Sequence, residues 1–331
     1  MQEKKIQIGG QAVIEGVMMR GPEQIATAIR RKDGTIDVQK KPFISATKTN
    51  SFYKLPIIRG FVSLIEMLKI GFQTLNYSAT VWEQDQKVID DIDDNLNVSN
   101  KGAQKDSENK KEQSNQIGEN FKKKLEEIFP FVIGISLALV FFGVMPYFLA
   151  SLLNLEKSDF LFNLFAGSLR IVLFVIYVYC ISFMKEIKRV FEYHGAEHMA
   201  VFAYEQKAPL KIESVKTFGT IHPRCGTSFM FIVLLVAILV FSIVDTIVAI
   251  CFFTPGPLIR FLYHLPFIPF VSGISYEVLK LSEKKNNNFL IRIFTKPGMA
   301  LQKITTQPPN EEQIEVAIVA LREALNLVEN D

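Results

Sequence analysis

The amino-acid sequence predicts a mainly α-helical polytopic membrane protein, with about four transmembrane helices and a small N-terminal α+β soluble region. Three observations lead there. Hydrophobic residues make up 49% of the 331-residue chain, with 28 Phe, above what a soluble protein of this length carries. The excess is concentrated in two blocks, 127–184 and 226–281. Basic residues cluster at one set of block boundaries and are scarce at the other.

Residues 1–55 read as a soluble region. Short alternating runs, Ile25–Ile29 and Thr35–Val38, flank Lys32-Asp33-Gly34, and Asp-Gly between such runs signals a β-hairpin. Residues 56–83 repeat apolar side chains at helical spacing, but Arg59, Glu66 and Lys69 interrupt any run of about 20 uncharged residues. An amphipathic, membrane-associated helix is expected there. Residues 84–120 are rich in Asp, Glu, Lys, Asn, Ser and Gln and nearly free of aromatics, the composition of a disordered linker.

Residues 121–281 form the transmembrane domain, with spans expected near 127–152, 159–184, 227–252 and 259–280. Each is long enough to cross a hydrocarbon core of roughly 30 Å, and a backbone in lipid must satisfy its own hydrogen bonds, which makes helices the natural form. Lys122, Lys123 and Lys124 precede the first span. Lys185, Lys188, Arg189, Lys207, Lys211, Lys216 and Arg224 lie between the second and third, and Lys280, Lys284 and Lys285 close the fourth. The positive-inside rule then places both termini and the 185–226 loop in the cytoplasm. The N-terminus has no apolar stretch of signal-peptide type, so insertion is expected to depend on the internal segments. Residues 282–331 form a cytoplasmic tail. Asn310 is placed to cap a short amphipathic helix whose apolar face is Ile314, Ile318, Leu321 and Leu325.

The net charge of +3 does not argue for nucleic acid, and no nucleic-acid motif is present. The expected partners are the lipid bilayer and a membrane-proximal substrate or protein. Cys180 and Cys251 fall in apolar segments, so the three cysteines form no disulfide framework.

Three of the four histidines lie in the 185–226 loop. Tyr193-His194-Gly195-Ala196-Glu197-His198 contains H-x-x-E-H, and on a helix positions i and i+4 share a face. His194 and His198 could reach one divalent metal, with Glu197 beside them as general base, the inverted zincin arrangement. His222-Pro223-Arg224-Cys225 adds a second pair of preferred zinc ligands. Glu277, at the cytoplasmic end of the fourth span, is a further candidate ligand. The plainer readings are helix-surface histidines near headgroups, an inert small Cys225, a lysine-paired Glu197 and a snorkelling Glu277. Deeper in the spans, Arg170 and Asp245 stand at similar depth and invite a buried ion pair. The stretch 9–22 is glycine-rich and fits no phosphate-binding pattern; within it Glu15 and Arg20 are expected to pair across a turn.

Taken together, GGQAVIEGVMMRGP at 9–22, YHGAEHMA at 193–200, HPRCGTSF at 222–229, GISYE at 273–277 and ITTQPP at 304–309 resemble the YqhQ-like family of bacterial membrane proteins, a family of unknown function. The resemblance implies a multi-pass protein of the bacterial plasma membrane. The family is described as metal-dependent enzymes, a label that rests on the same histidines and implies no substrate.

Three functions follow from these residues. The first is a metal-dependent membrane enzyme, a hydrolase at the cytoplasmic face, with zinc on His194, His198 and His222, Cys225 or Glu277 completing the set, and Glu197 taking a proton. The second is a scaffold with a closed structural zinc site of His194, His198, His222 and Cys225. The third is a transporter with Arg170, Asp245 and His264 along its path.

Overall fold

The computed structural model describes residues 8–99, 129, 132–134, 136–152, 160–223, 225–252, 256–284 and 289–327. The basic run 122–124 and Arg224 lie outside them. Contacts divide the chain into two units, one of 1–86, 175–241 and 262–331, the other of 87–174 and 242–261.

The first unit begins with a meander of four antiparallel strands in chain order: β1 (Gly9–Val13), β2 (Gly16–Arg20), β3 (Gln24–Arg30) and β4 (Ile36–Pro42). The β3–β4 hairpin stands where Asp33-Gly34 predicts it. Arg30 pairs with Ile36, Gly34 takes φ +89°, and Asp33 Oδ1 accepts from the Thr35 amide at 2.9 Å.

The glycine-rich stretch 9–22 is also a hairpin, and its lack of polarity now has a cause. Strand β2 is buried on both faces, so the usual alternation disappears. Val17 and Met19 enter the main core, while Met18 on the other face packs with Ile25 and Ile70. Glu15, at φ +53° in the turn, does not pair with Arg20. It holds Arg189 and accepts from the Tyr193 hydroxyl at 3.3 Å, whereas Arg20 faces Glu66 at 4.0 Å.

Helix α1 (Ile58–Ser99) covers the Met18 face of the sheet. Its charges are used internally. Glu66 accepts from Ser45 Oγ at 2.8 Å and the Ala46 amide at 2.6 Å, and Asp85 accepts from Arg31 at 2.7 Å. The helix runs on through residues 84–99, which the composition reads as the start of a linker; residues 100–120 lie outside the described ones.

Among the described residues, four helical stretches are long and apolar enough to cross a membrane: α2 (Val132–Ser151), α3 (Phe160–Ile181), α5 (Gly226–Cys251) and the stretch Leu258–Leu281. Between the second and third lies α4 (Lys185–Glu205). The fourth stretch is built from α6 (Pro257–His264), a short 3-10 turn at Leu265–Phe267 and α7 (Ile268–Lys284). Pro266 and Pro269 account for the break, since each removes an amide donor.

Two helices complete the first unit, α8 (Phe289–Thr305) and α9 (Glu311–Leu325). Asn310 caps α9 in a capping box with Gln313, each side chain meeting the other's backbone amide at 2.9 Å. Ile314, Ile318 and Leu321 of α9 pack with Val17, Met19, Ala26 and Ala28 of the sheet and with Tyr193, Ala196 and Ala200 of α4. The tail helix therefore docks on its own chain, and α4 is fixed between it and β1.

Candidate metal centre

Helix α4 carries H-x-x-E-H on its buried side. Residues 194, 197 and 198 share a helical face because 3.6 residues make a turn. Gly195 lies against the backbone of Gln307, where a Cβ would collide with that carbonyl. This close approach lets the segment after α8 run beside α4, and the Gln307 amide donates to the Phe191 carbonyl at 2.9 Å.

Backbone carbonyls orient both imidazoles. His194 Nδ1 donates to the Thr305 carbonyl at 2.8 Å, and His198 Nδ1 donates to the Thr220 carbonyl. A carbonyl can only accept, so each Nδ1 carries the proton and each Nε2 keeps its lone pair. The two rings stand 4.5 Å apart between centroids. Cys225, one residue before α5, brings its Sγ to 3.1 Å from His194 Nε2. Ligand atoms of His194, His198 and Cys225 all lie within 4.8 Å of one another. His198 Nε2 is buried without a hydrogen-bond partner among the described residues.

This donor set suits a borderline-soft divalent cation: two neutral imidazoles fixed in the ligating tautomer, one thiol, and an orphaned buried nitrogen aimed at the gap. Burial holds the His198 imidazole below its ordinary pKa, with the neighbouring Cys225 acting against that shift, so the ring is neutral and able to ligate at pH 7.

Glu197 completes the surroundings. Its Oε2 is 4.0 Å from His194 Nε2. Its carboxyl accepts from the backbone amide of Gly10 in β1, and a Cβ at Gly10 would come within 2.8 Å of Glu197 Cγ. Burial pushes the Glu197 carboxyl above the usual carboxylate range, against the pull of His194 and His222. The glycine in the N-terminal motif is thus where the strand approaches the site, a role that composition hints at without locating.

Two predicted ligands fall elsewhere. His222 is outside the three-residue group. Its ring packs at 5.6 Å from His198 and 4.4 Å from Phe202, and its Nε2 faces Glu205 at 3.6 Å. Gln302 fixes its backbone, accepting from the His222 amide at 2.8 Å and donating to the His222 carbonyl at 2.9 Å. Glu277 is also outside the group. It is held by Arg59, whose Nε donates to Oε1 at 2.7 Å. Sequence spacing cannot distinguish these cases, because the partners stand 80 and 218 positions away. The structure thus brings His194, His198 and Cys225 together and leaves His222 beside them, 5.6 Å from His198 between ring centroids.

Residues 55–327 match the model of a family described as a protein of unknown function, DUF1385. The chain belongs to that family. It is 34% identical over 325 residues to "Uncharacterized protein YqhQ" of Bacillus subtilis (strain 168), covering 96% of this chain and 92% of that protein. No solved structure matches. The family model takes in α4, Cys225 and the segment after α8, so every candidate ligand falls inside it; Gly10 lies before it.

Proposed function

We propose that the protein is a membrane-embedded metal-dependent hydrolase acting at the cytoplasmic face, with zinc held by His194, His198 and Cys225. The observation that carries this reading is the count of ligands. Three protein side chains converge, and a buried carboxyl, Glu197, stands beside them without belonging to the set. Catalytic zinc sites have three protein ligands and an open fourth position, whereas structural sites are closed with four. Zinc held there would polarise a water and lower its pKa toward about 7.

The side chains divide the remaining work. Thr305 and Thr220 carbonyls keep the imidazoles in the ligating tautomer. Glu197 Oε2 is within reach to accept a proton from water and to return it to a leaving group. Burial raises its pKa above the usual carboxylate range, the direction that favours a carboxylate able to take up a proton. A groove of about 710 Å³, lined in part by Met199, Phe218, Thr220 and Pro308, reaches the residue that orients His198 and offers a surface for a membrane-proximal substrate. The basic residues around 185–226 support the placement of this face, and of both termini, in the cytoplasm.

A structural zinc clasp in a scaffold protein is the second reading. It is favoured by the inward-pointing, buried Cys225 and by the way the cluster joins α4, the start of α5, the segment after α8 and β1. A transporter is the third reading; of its candidate residues, His264 stacks on Phe241 at 4.1 Å with an interplanar angle of 8°.

Metal analysis of the purified full chain separates the first two readings. In the hydrolase reading Glu197→Gln keeps about one zinc per chain and abolishes hydrolysis of any membrane peptide or phospholipid the wild type cleaves. Loss of zinc from Glu197→Gln makes Glu197 a fourth ligand and the site closed. No zinc in the wild type removes both readings.

A further inference from the structure

Helix α1 turns one apolar face to the sheet and leaves another exposed. Met67 and Ile70 pack with Met18 and Ile25. On the other side Ile65, Leu68, Phe72, Leu75 and Trp82 are 41–64% exposed. Steps of three, four, three and seven residues keep them in one stripe. Lys69, Gln73, Asn76 and Thr80 are exposed too, and helical spacing sets them along one edge of that stripe. The exposed side is thus itself divided into an apolar and a polar half. Helices that lie in the boundary between water and lipid carry this division.

Contacts within the first unit fix how α1 runs relative to the apolar stretches. Its start is clamped near the Leu281 end of the stretch Leu258–Leu281. Arg59 holds Glu277, and Gly60 fits against Gly273 and Tyr276 so closely that a Cβ would collide with them. Glu277 is four residues from Leu281, or about 6 Å along a helix. From there α1 follows the β1–β2 hairpin. Arg20, at the open end of the hairpin, faces Glu66, and Arg31, next to its turn, meets Asp85. The hairpin is itself tied at both ends to segments beside other apolar helices. Its turn residue Glu15 holds Arg189, eight residues after α3 ends at Ile181. Gly10, near its open end, donates to Glu197 on α4, and His194 of that helix meets Cys225, one residue before α5. A hairpin strung between the ends of two spans runs along the membrane surface, and so does the helix beside it.

We propose that α1 lies flat on the cytoplasmic leaflet, with Ile65, Leu68, Phe72, Leu75 and Trp82 seated among phospholipid headgroups and the upper acyl chains. Phe52 and Leu55, exposed just before the helix, extend the same contact, and aromatic side chains suit this depth. The occupant is lipid rather than a second copy of the chain because the stripe begins beside a span end and keeps a polar edge along its length. The arrangement holds the sheet, and the Gly10 contact with Glu197, at the level of the headgroups. It rests on the apolar stretches being spans, as the hydrolase reading does, and makes no use of the metal.

Trp82 is the one tryptophan of the chain and reports on the proposal directly. It stands 23 residues after Arg59, so a helix projecting from the bilayer would carry it about 35 Å away. The full chain is reconstituted in vesicles of phosphatidylcholine brominated either near the headgroup end of the acyl chains or near their tips. A helix seated about 5–10 Å into the boundary loses roughly half its Trp82 emission to the shallow bromines and less to the deep ones. Absence of quenching by either lipid overturns the proposal; acrylamide then tells a helix in water, which it quenches, from one covered by a second copy, which it does not. Stronger quenching by the deep bromines also overturns it, by placing Trp82 in the membrane core. Replacing Leu68→Gln and Phe72→Gln together removes two exposed side chains and should cut the shallow quenching severalfold while zinc content stays at the wild-type level. Wild-type quenching in that variant would show that the stripe does not hold the helix on the lipid.

Discussion

The two buried polar clusters of this protein are built from opposite materials. At the α4 site the groups are of the kinds that ligate metals: two imidazoles with their Nδ1 protons committed to carbonyls, a thiol, and a carboxyl whose pKa is raised by burial. In the second unit they are ionised groups facing one another, with Arg260 held between Asp245 and Asn163. The first leaves lone pairs directed at a gap and suits a cation. The second leaves one buried amide donor, Asn163 Nδ2, unused among the described residues. Burial is common to both; what each can hold is decided by which half of the hydrogen bond remains unused.

The comparison is tested most severely at Asp245. Asp245→Ala leaves the Arg260 guanidinium buried without its carboxylate, and loss of one partner of a buried pair costs about 3–5 kcal/mol. Thermal unfolding in detergent or nanodiscs should show a larger drop than for Gly10→Ala or Asn310→Ala, with zinc content unchanged. A small effect would mean that Arg260 is stabilised chiefly by groups other than Asp245, with Asn163 and Tyr147 among them.

Cys225→Ala acts on the other cluster. It removes a ligand rather than an outer partner, so zinc affinity should fall by more than the roughly 10–100-fold typical of outer-shell changes. Competition with a chromogenic chelator measures this. Retention of wild-type affinity would show that the metal, if bound, does not use the thiol.

Gly10→Ala probes the link between strand and site. The added Cβ meets the Met18 carbonyl at 2.7 Å and Glu197 Cγ at 2.8 Å. Overpacking of this kind costs about 1–3 kcal/mol, while the three ligands stay in place and zinc stoichiometry is preserved. Unaltered stability would argue against a close β1–α4 contact.

The smallest expected effect is that of Asn310→Ala. Loss of the capping box weakens α9 by about 1 kcal/mol. It should lower Tm slightly and leave both clusters as they are, which makes it the control for general destabilisation.

Much of the architecture is legible in the linear chain because it depends on local composition. The helices Phe160–Ile181 and Gly226–Cys251, long and apolar enough to span a membrane, follow from apolar runs broken by few polar residues, Arg170 and Asp245 among them. The α9 helix follows from an N-cap and a 3.6-residue period, and the β3–β4 turn from Asp33-Gly34. The His194–His198 pair is legible for the same reason, since i and i+4 are neighbours on any helix. The β1–β2 hairpin is not, because a strand buried on both faces loses the alternation that identifies strands. The extension of helix α1 past residue 84 is equally hidden; a polar composition does not exclude helix where a preceding segment is anchored.

The sequence by itself determined the helices apolar enough to span a membrane, the capped tail helix and the residue types able to bind metal, since these depend on composition and near-neighbour spacing. Only the tertiary structure decided which of them meet. It placed Cys225 with His194 and His198, set His222 against His198 and Glu205, gave Glu277 to Arg59, and joined Asp245 to Arg260 with Arg170 in Coulomb range of both. Each choice is a contact between residues distant along the chain or on different helices. Such contacts are set by how whole helices pack and by which buried group most needs a partner, and no local pattern encodes that.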